Sequence, residues 1–119
     1  MAGIKIIIMN TLRNKVQLIG NLGNDPEIIN LESGKKLAKF SIATNESYKN
    51  SKGEKVTDTQ WHNVVAWGKT AEIIEKYVTK GKEVAIEGKL TSRSYETKEG
   101  EKRYITEVVC NELLMLGNK

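Results

Sequence analysis

Trp61 and Trp67 stand six residues apart in Trp61-His62-Asn63-Val64-Val65-Ala66-Trp67. Side chains alternate faces along a strand. Trp61, Asn63, Val65 and Trp67 therefore share one face, and His62, Val64 and Ala66 the other. Two large flat rings on one face are suited to stacking on the bases of an unpaired nucleic-acid strand, each of which presents a π surface. Packing in a core is the commoner fate of tryptophan in a small domain, and this strand alone leaves the two readings level. A second row lies downstream, where Lys89, Thr91, Arg93 and Tyr95 share one parity of an extended stretch. Two cations and an aromatic are hard to explain as core. Tyr48 stands at the base of a polar stretch, Glu46 to Asp58, that carries Lys49, Lys52 and Lys55. That stretch reads either as a solvated hairpin loop or as a mobile arm that wraps a ligand.

Other chemistries find little support. One histidine and one cysteine do not make a zinc site of the usual ligand count, so no metal is expected. No nucleophile–base pair, recognisable carboxylate pair or phosphate-cradling glycine loop is present; neither enzymatic activity nor a cofactor is expected. Cys110 cannot form an internal disulfide, which favours a reducing compartment and hence the cytoplasm, with the nucleoid as the place of work if DNA is the partner. Its expected role is that of a structural thiol in a strand.

These residues need a scaffold, and 119 residues are enough for one domain with a small core. Lys and Arg number 19 against 15 acidic residues, for a net charge of +4, a mild lean toward a polyanionic partner. The first strand is expected over Lys15–Leu22, before the turn Gly23-Asn24-Asp25-Pro26, and a second from about Glu27. From Leu37 to Asn45, Ala38, Phe40 and Ile42 face one way and Lys39, Ser41 and Ala43 the other. A helix is expected over Thr70–Thr79. Ala71, Ile74 and Val78 form its apolar stripe, with Ile73 and Tyr77 beside them and Tyr77 read as core. Thr70 is placed to cap it, Glu72 to face its dipole in the first turn, and Gly81 to stop it. Strands follow over Glu83–Thr97 and Arg103–Cys110, joined by a turn at Lys98-Glu99-Gly100-Glu101. In the first of these, Val84, Ile86, Gly88 and Leu90 read as core. Gly20, Gly68 and Gly88 suit the bends of a small barrel. The order is that of an all-β OB fold, a five-stranded Greek-key barrel with one short helix between strands 3 and 4. Residues 1–8 (MAGIKIII) read as an N-terminal extension and 9–117 as the domain.

The chain resembles the bacterial single-stranded-DNA-binding proteins. The resemblance rests on Asn14-Lys15-Val16-Gln17-Leu18-Ile19-Gly20-Asn21-Leu22-Gly23, Asp25-Pro26-Glu27 and Thr59-Gln60-Trp61-His62-Asn63-Val64-Val65. It continues through Trp67-Gly68-Lys69-Thr70-Ala71-Glu72, Ile86-Glu87-Gly88-Lys89-Leu90, Tyr104-Ile105-Thr106-Glu107-Val108-Val109 and Met115-Leu116-Gly117, all in family order. It implies an OB fold, a homotetramer and sequence-tolerant binding of single-stranded DNA in replication, recombination and repair. It places base stacking at Tyr48, Trp61, Trp67 and Tyr95, with tyrosine where tryptophan is common at the first and last, and tryptophan for phenylalanine at Trp67. Lys15, Lys69, Lys80 and Arg93 match or neighbour basic DNA-contact positions, and Lys89 joins them from the cationic row. His62 matches a position at a subunit contact. Asn63 occupies a position that is often arginine, so one phosphate contact is expected to be missing. Family members usually continue into a flexible segment with an acidic tip that recruits replication and repair proteins. This sequence stops at Asn118-Lys119, so either it is cut at the domain edge or it is a tailless member, and recruitment through a tail is not carried over.

Rival readings are another OB module, such as a primosome accessory protein or an RNA-binding barrel, and a structural oligomer with its aromatic face buried between subunits.

Overall fold

The computed structural model describes residues 12–117, so the expected extension at residues 1–8 lies outside the described residues. From residue 16 onward the described elements run in the order β1 (Val16–Leu22), β2 (Glu27–Asn30), β3 (Lys36–Lys49), β4 (Lys55–Trp67), α1 (Gly68–Tyr77), β5 (Glu83–Glu96) and β6 (Lys102–Met115). The four-residue β2 only extends the edge of β3. The other five strands close on themselves in the order β1–β5–β6–β4–β3–β1. This is the expected OB barrel; α1 lies between its third and fourth barrel strands, and between β4 and β5 once β2 is counted.

Closure depends on two strands changing partners. β1 pairs with β5 from Val16 to Asn21, and its end reaches β3 at Asn21↔Ala43 and Leu22↔Ile42. Gly20 lies in this corner, where a Cβ would sit 2.3 Å from the Ala43 carbonyl oxygen. Gly88 stands at a register shift between β5 and β6, and a Cβ there would meet the Val109 oxygen at 2.0 Å. Each glycine permits a backbone approach that any side chain would block. The parallel pairs Val64↔Val108 and Val65↔Val109 complete the wall.

The core follows the alternation read from sequence. Ala38, Phe40 and Ile42 of β3, Val64 and Ala66 of β4, and Val84 and Ile86 of β5 are buried. The helix closes one end of the barrel through Ala71 and Ile74, with Val78 just after it. Leu90 departs from the expected core set: it lies beyond the register shift at Gly88 and is exposed.

The helix differs from expectation in five details. It starts directly from the strand at Gly68, whose φ of 61° makes the sharp turn without a linker. Thr70 therefore falls inside the helix, Trp67 holds the cap position with no side-chain cap bond, and the first turn carries no acidic residue. The chain leaves the helix at an extended Val78, so Gly81 (φ 88°) belongs to the next turn and donates its N–H to Leu22 O at 2.9 Å. Tyr77 and Ile73 are exposed, because a ten-residue helix lying across a barrel mouth buries a single stripe.

The largest correction concerns Glu46–Asp58. It is not a loop: the β3–β4 ladder continues unbroken to Lys49↔Lys55. The turn is only Asn50–Glu54, held by Asn50 Oδ1 accepting from the N–H groups of Lys52 (2.9 Å) and Glu54 (3.0 Å), with Gly53 at φ 80°. Tyr48 thus stands one pair from the tip, not at a loop's base. This hairpin projects beyond the barrel and has no core to face, so it carries no apolar alternation for sequence to reveal. The β6 strand is also longer than expected, running on through Glu112 to Met115.

Candidate nucleic-acid interface

The outward face of β4 forms the floor of an open groove. Trp61 and Trp67 are 61% and 47% exposed, whereas Val64 and Ala66 of the opposite parity are buried. The face assignment from alternation thus holds, and neither ring is core. Register sets their neighbours: Trp67 lies opposite Leu37, Val65 opposite Lys39, Asn63 opposite Ser41 and Trp61 opposite Ala43. The small Ala43 leaves room beside the indole of Trp61. Gly23 completes that seat, since a Cβ on it would lie 2.4 Å from Trp61 Cζ3. The turn bearing Gly23 is tied to β3. Gly23 N–H donates to Ser41 O at 3.0 Å, and Asn24 Oδ1 accepts from Ser41 Oγ at 2.9 Å.

Two adjoining depressions, of about 260 and 400 Å³, run along this face and share Lys39, Val65, Arg93 and Glu107. Asn24, Ser41 and Asn63 line the first; Trp67, Thr91 and Val109 line the second. The β5–β6 hairpin supplies the far wall, where the pairs Thr91↔Glu107, Arg93↔Ile105 and Tyr95↔Arg103 share a face. Tyr95, exposed, therefore lies on the same face as Arg93.

Arg93 is not a free cation. Its Nε donates to Glu107 Oε1 at 3.1 Å and its Nη2 to Oε2 at 3.3 Å. The bond to Glu107 is the main cause holding the guanidinium pKa above its ordinary value. Glu107 itself is only 7% exposed.

The other expected contact residues are distributed more widely. Lys69 is exposed two residues beyond Trp67, at the start of α1, and Lys89 is exposed opposite Val109 on β5. Lys80 is exposed in the turn after α1, its N–H donating to Asp25 Oδ1 at 2.8 Å. Lys15 pairs with Glu87 at 3.3 Å. The Glu87 carboxyl is held below its ordinary range first by the Gln17 amide and then by Lys15. Tyr48 is exposed but pairs with Val56, and the unbroken ladder places it on the parity of Phe40 and Ile42, not that of Trp61. The structure therefore brings Trp61, Trp67, Arg93 and Tyr95 to one surface and sets Tyr48 on the other face of its hairpin.

Sequence reasoning missed Glu107, Gly23 and Asn24 as parts of this surface. Nothing local marks Glu107, whose partner lies 14 residues away. Lys39 and Ser41 were legible from their alternation with Phe40, but without the register to β4 nothing tied them to the tryptophans.

His62 lies on the opposite side, half-buried, with Nε2 3.0 Å from Thr44 Oγ1. Thr44 Cγ2 in turn lies 3.4 Å from where a Cβ on Gly20 of β1 would sit. A further depression of about 470 Å³ opens between β1, β5 and β6, lined by Leu18, Ile19, Leu113 and Leu114 with Glu87 and Glu112 at its rim. An apolar hollow with acidic edges does not suit a phosphate chain. No group of three or more histidine, cysteine or acidic residues able to hold a metal occurs among the described residues.

An aromatic- and cation-lined groove across a closed five-stranded barrel defines an OB-type oligonucleotide-binding module. The profile of the Single-strand binding protein family matches residues 13–116. The chain belongs to this family. It is 50% identical over 107 residues to single-stranded DNA-binding protein 1 of Chlorobaculum tepidum, covering 89% of this chain and 66% of that one. It is 45% identical over 107 residues to single-stranded DNA-binding protein 1 of Xylella fastidiosa, covering 89% and 79%. Identity to the single-stranded DNA-binding protein of Neisseria meningitidis serogroup A is 42% over 106 residues, covering 89% and 61%. The chain thus spans roughly two thirds of the length of these relatives. Among solved structures, a Plasmodium falciparum SSB complex with ssDNA superposes with a TM-score of 0.79 at 36% identity, covering 87% of this chain and 95% of that one.

Proposed function

We propose that this chain binds single-stranded DNA without regard to sequence and shields it during replication, recombination and repair. The observation that carries the reading is the pair of exposed tryptophans on one groove floor, flanked by Lys39, Lys69, Lys89 and Arg93. Lysines draw the phosphate backbone in as counterions leave. Unstacked bases then lie on the rings, each stack contributing about 1–3 kcal/mol. Duplex bases, already stacked within the helix, do not reach the rings, so selectivity is for unpaired strands. The names of the relatives, each a single-stranded DNA-binding protein, support DNA over RNA as the ligand. Binding by this route needs no covalent step, and the reading is of a binding protein and not an enzyme.

The apolar hollow at Leu18, Ile19, Leu113 and Leu114 supports self-association through β1, with His62 near the same strand; a homotetramer is the form we propose. No helix among the described residues is long and apolar enough to cross a membrane, and a cytoplasmic, nucleoid-associated location fits a DNA ligand.

The test is a titration of intrinsic tryptophan fluorescence with oligo(dT). Strong quenching at saturation is expected, with single-stranded DNA competing better than RNA and far better than duplex. Unchanged emission at saturating oligonucleotide would remove base stacking on Trp61 and Trp67. Light scattering with and without oligonucleotide reads the oligomer: a structural module would assemble yet ignore the DNA.

A further inference from the structure

We propose that Arg93 and Glu107 act together as an electrically neutral fork that grips a phosphate of the bound strand by hydrogen bonds, with Glu107 as its positioning residue. The inference rests on the single-strand reading above and assigns Glu107 a role in it. A guanidinium carries five N–H donors in a rigid plane. Two are spent on Glu107, from Nε at 3.1 Å and Nη2 at 3.3 Å. The remaining three, one on Nη2 and two on Nη1, lie in the same plane around the far end of the group. The Arg93 side chain is 51% exposed and that of Glu107 8%, so the acid is the buried anchor and the free edge belongs to the groove. Both residues line the two depressions that meet beside Trp67 and Asn63. Thr91 Oγ1 donates to the Glu107 carbonyl at 3.4 Å, bracing the same pair of strands.

Charge arithmetic separates this fork from an ordinary basic contact. Leaving a buried carboxylate unpaired is costly, so Arg93 stays on Glu107 when the strand arrives. The pair has no net charge and releases no counterion of its own. Lys39 is different. It lines the same two depressions and has no ion-pair partner within 4.0 Å among the described residues. Neutralising one phosphate of a single strand contributes about 0.7 to the slope of log affinity against log salt.

The test is the salt dependence of binding to an oligo(dT) short enough for one barrel, measured by fluorescence anisotropy. The variants are Lys39→Gln, Glu107→Gln and the double variant Arg93→Gln with Glu107→Gln. Lys39→Gln should lower the magnitude of the slope by about 0.7. The double variant should bind at least fivefold more weakly with its slope unchanged, because a neutral pair replaces a neutral pair. Glu107→Gln should raise the magnitude of the slope by about 0.7, because it uncovers the Arg93 charge. The double variant keeps the buried site uncharged, and its thermal midpoint checks the fold. A fall of about 0.7 in the magnitude of the slope of the double variant would make Arg93 a plain cation and overturn the proposal. So would undiminished affinity in the double variant, or an unchanged slope in Glu107→Gln. Failure of the unsubstituted protein to bind oligo(dT) at low salt would instead defeat the single-strand reading itself.

Discussion

Replacing Gly23 by alanine perturbs the groove by pushing on Trp61 while leaving every residue that meets the DNA unchanged in identity. The new Cβ would lie 2.4 Å from Trp61 Cζ3 and 2.9 Å from Cη2. Carbon atoms settle about 3.5 Å or more apart, so the indole must withdraw by about 1 Å. A gap of that size forfeits up to roughly half of a contact's attraction. A stack of about 2 kcal/mol then loses about 1 kcal/mol, close to a fivefold weakening. The fold should barely respond, because the displaced atoms end an exposed side chain and alanine reduces the freedom of the unfolded chain. The assay is oligo(dT) titration paired with thermal unfolding, on Gly23→Ala, Trp61→Ala and their combination. Trp61→Ala should weaken binding by about 1–3 kcal/mol. Gly23→Ala should add nothing further in that background, since both act on one ring. An equal additional loss in the double variant, or a melting point lowered as far as by Gly20→Ala, would refute the reasoning.

Gly88→Ala should do the reverse, because its Cβ meets the Val109 carbonyl oxygen at 2.0 Å and backbone cannot swing aside. The expected loss is about 3 kcal/mol or more, at the upper end of overpacking penalties, read by denaturant unfolding. Cys110 is buried, its Sγ–H donates to Glu112 O, and burial pushes its thiol up to about 11. It should resist thiol reagents in the folded protein at pH 8. Because the folded value lies above the ordinary 9.0, its contribution to stability is complete below pH 9 and fades as pH rises toward 11. Fast labelling of folded protein would contradict this burial. The Glu87 carboxyl, observed by NMR, should titrate below its ordinary 4.5, so its stabilising contribution is present above that pH and lost as pH falls through the folded value. Gln17→Ala and Lys15→Ala should each bring the titration back up, because the Gln17 amide and the Lys15 ammonium both bond the carboxylate; an unmoved titration in either variant would contradict that assignment.

The sequence by itself determined the barrel and the faces of its strands. Wherever a strand has a core to face, period-two alternation is enforced by burial, and Phe40, Ile42, Val64 and Ile86 could be read directly. The same rule put Trp61 and Trp67 on one face together, and the glycines at 20 and 88 marked the barrel's corners. Tertiary structure alone decided the rest. The β3–β4 hairpin beyond the barrel faces water on both sides, so no alternation marks it and it reads as a loop. The face of Tyr48 follows from an unbroken register that only pairing defines. Whether a cation is free or paired depends on what lies opposite. Lys15 and Arg93 look alike in sequence to Lys39, yet carboxylates brought from paired strands engage the first two. Charge is a property of residues, but available charge is a property of neighbours, and neighbours across a sheet are set only when the chain closes.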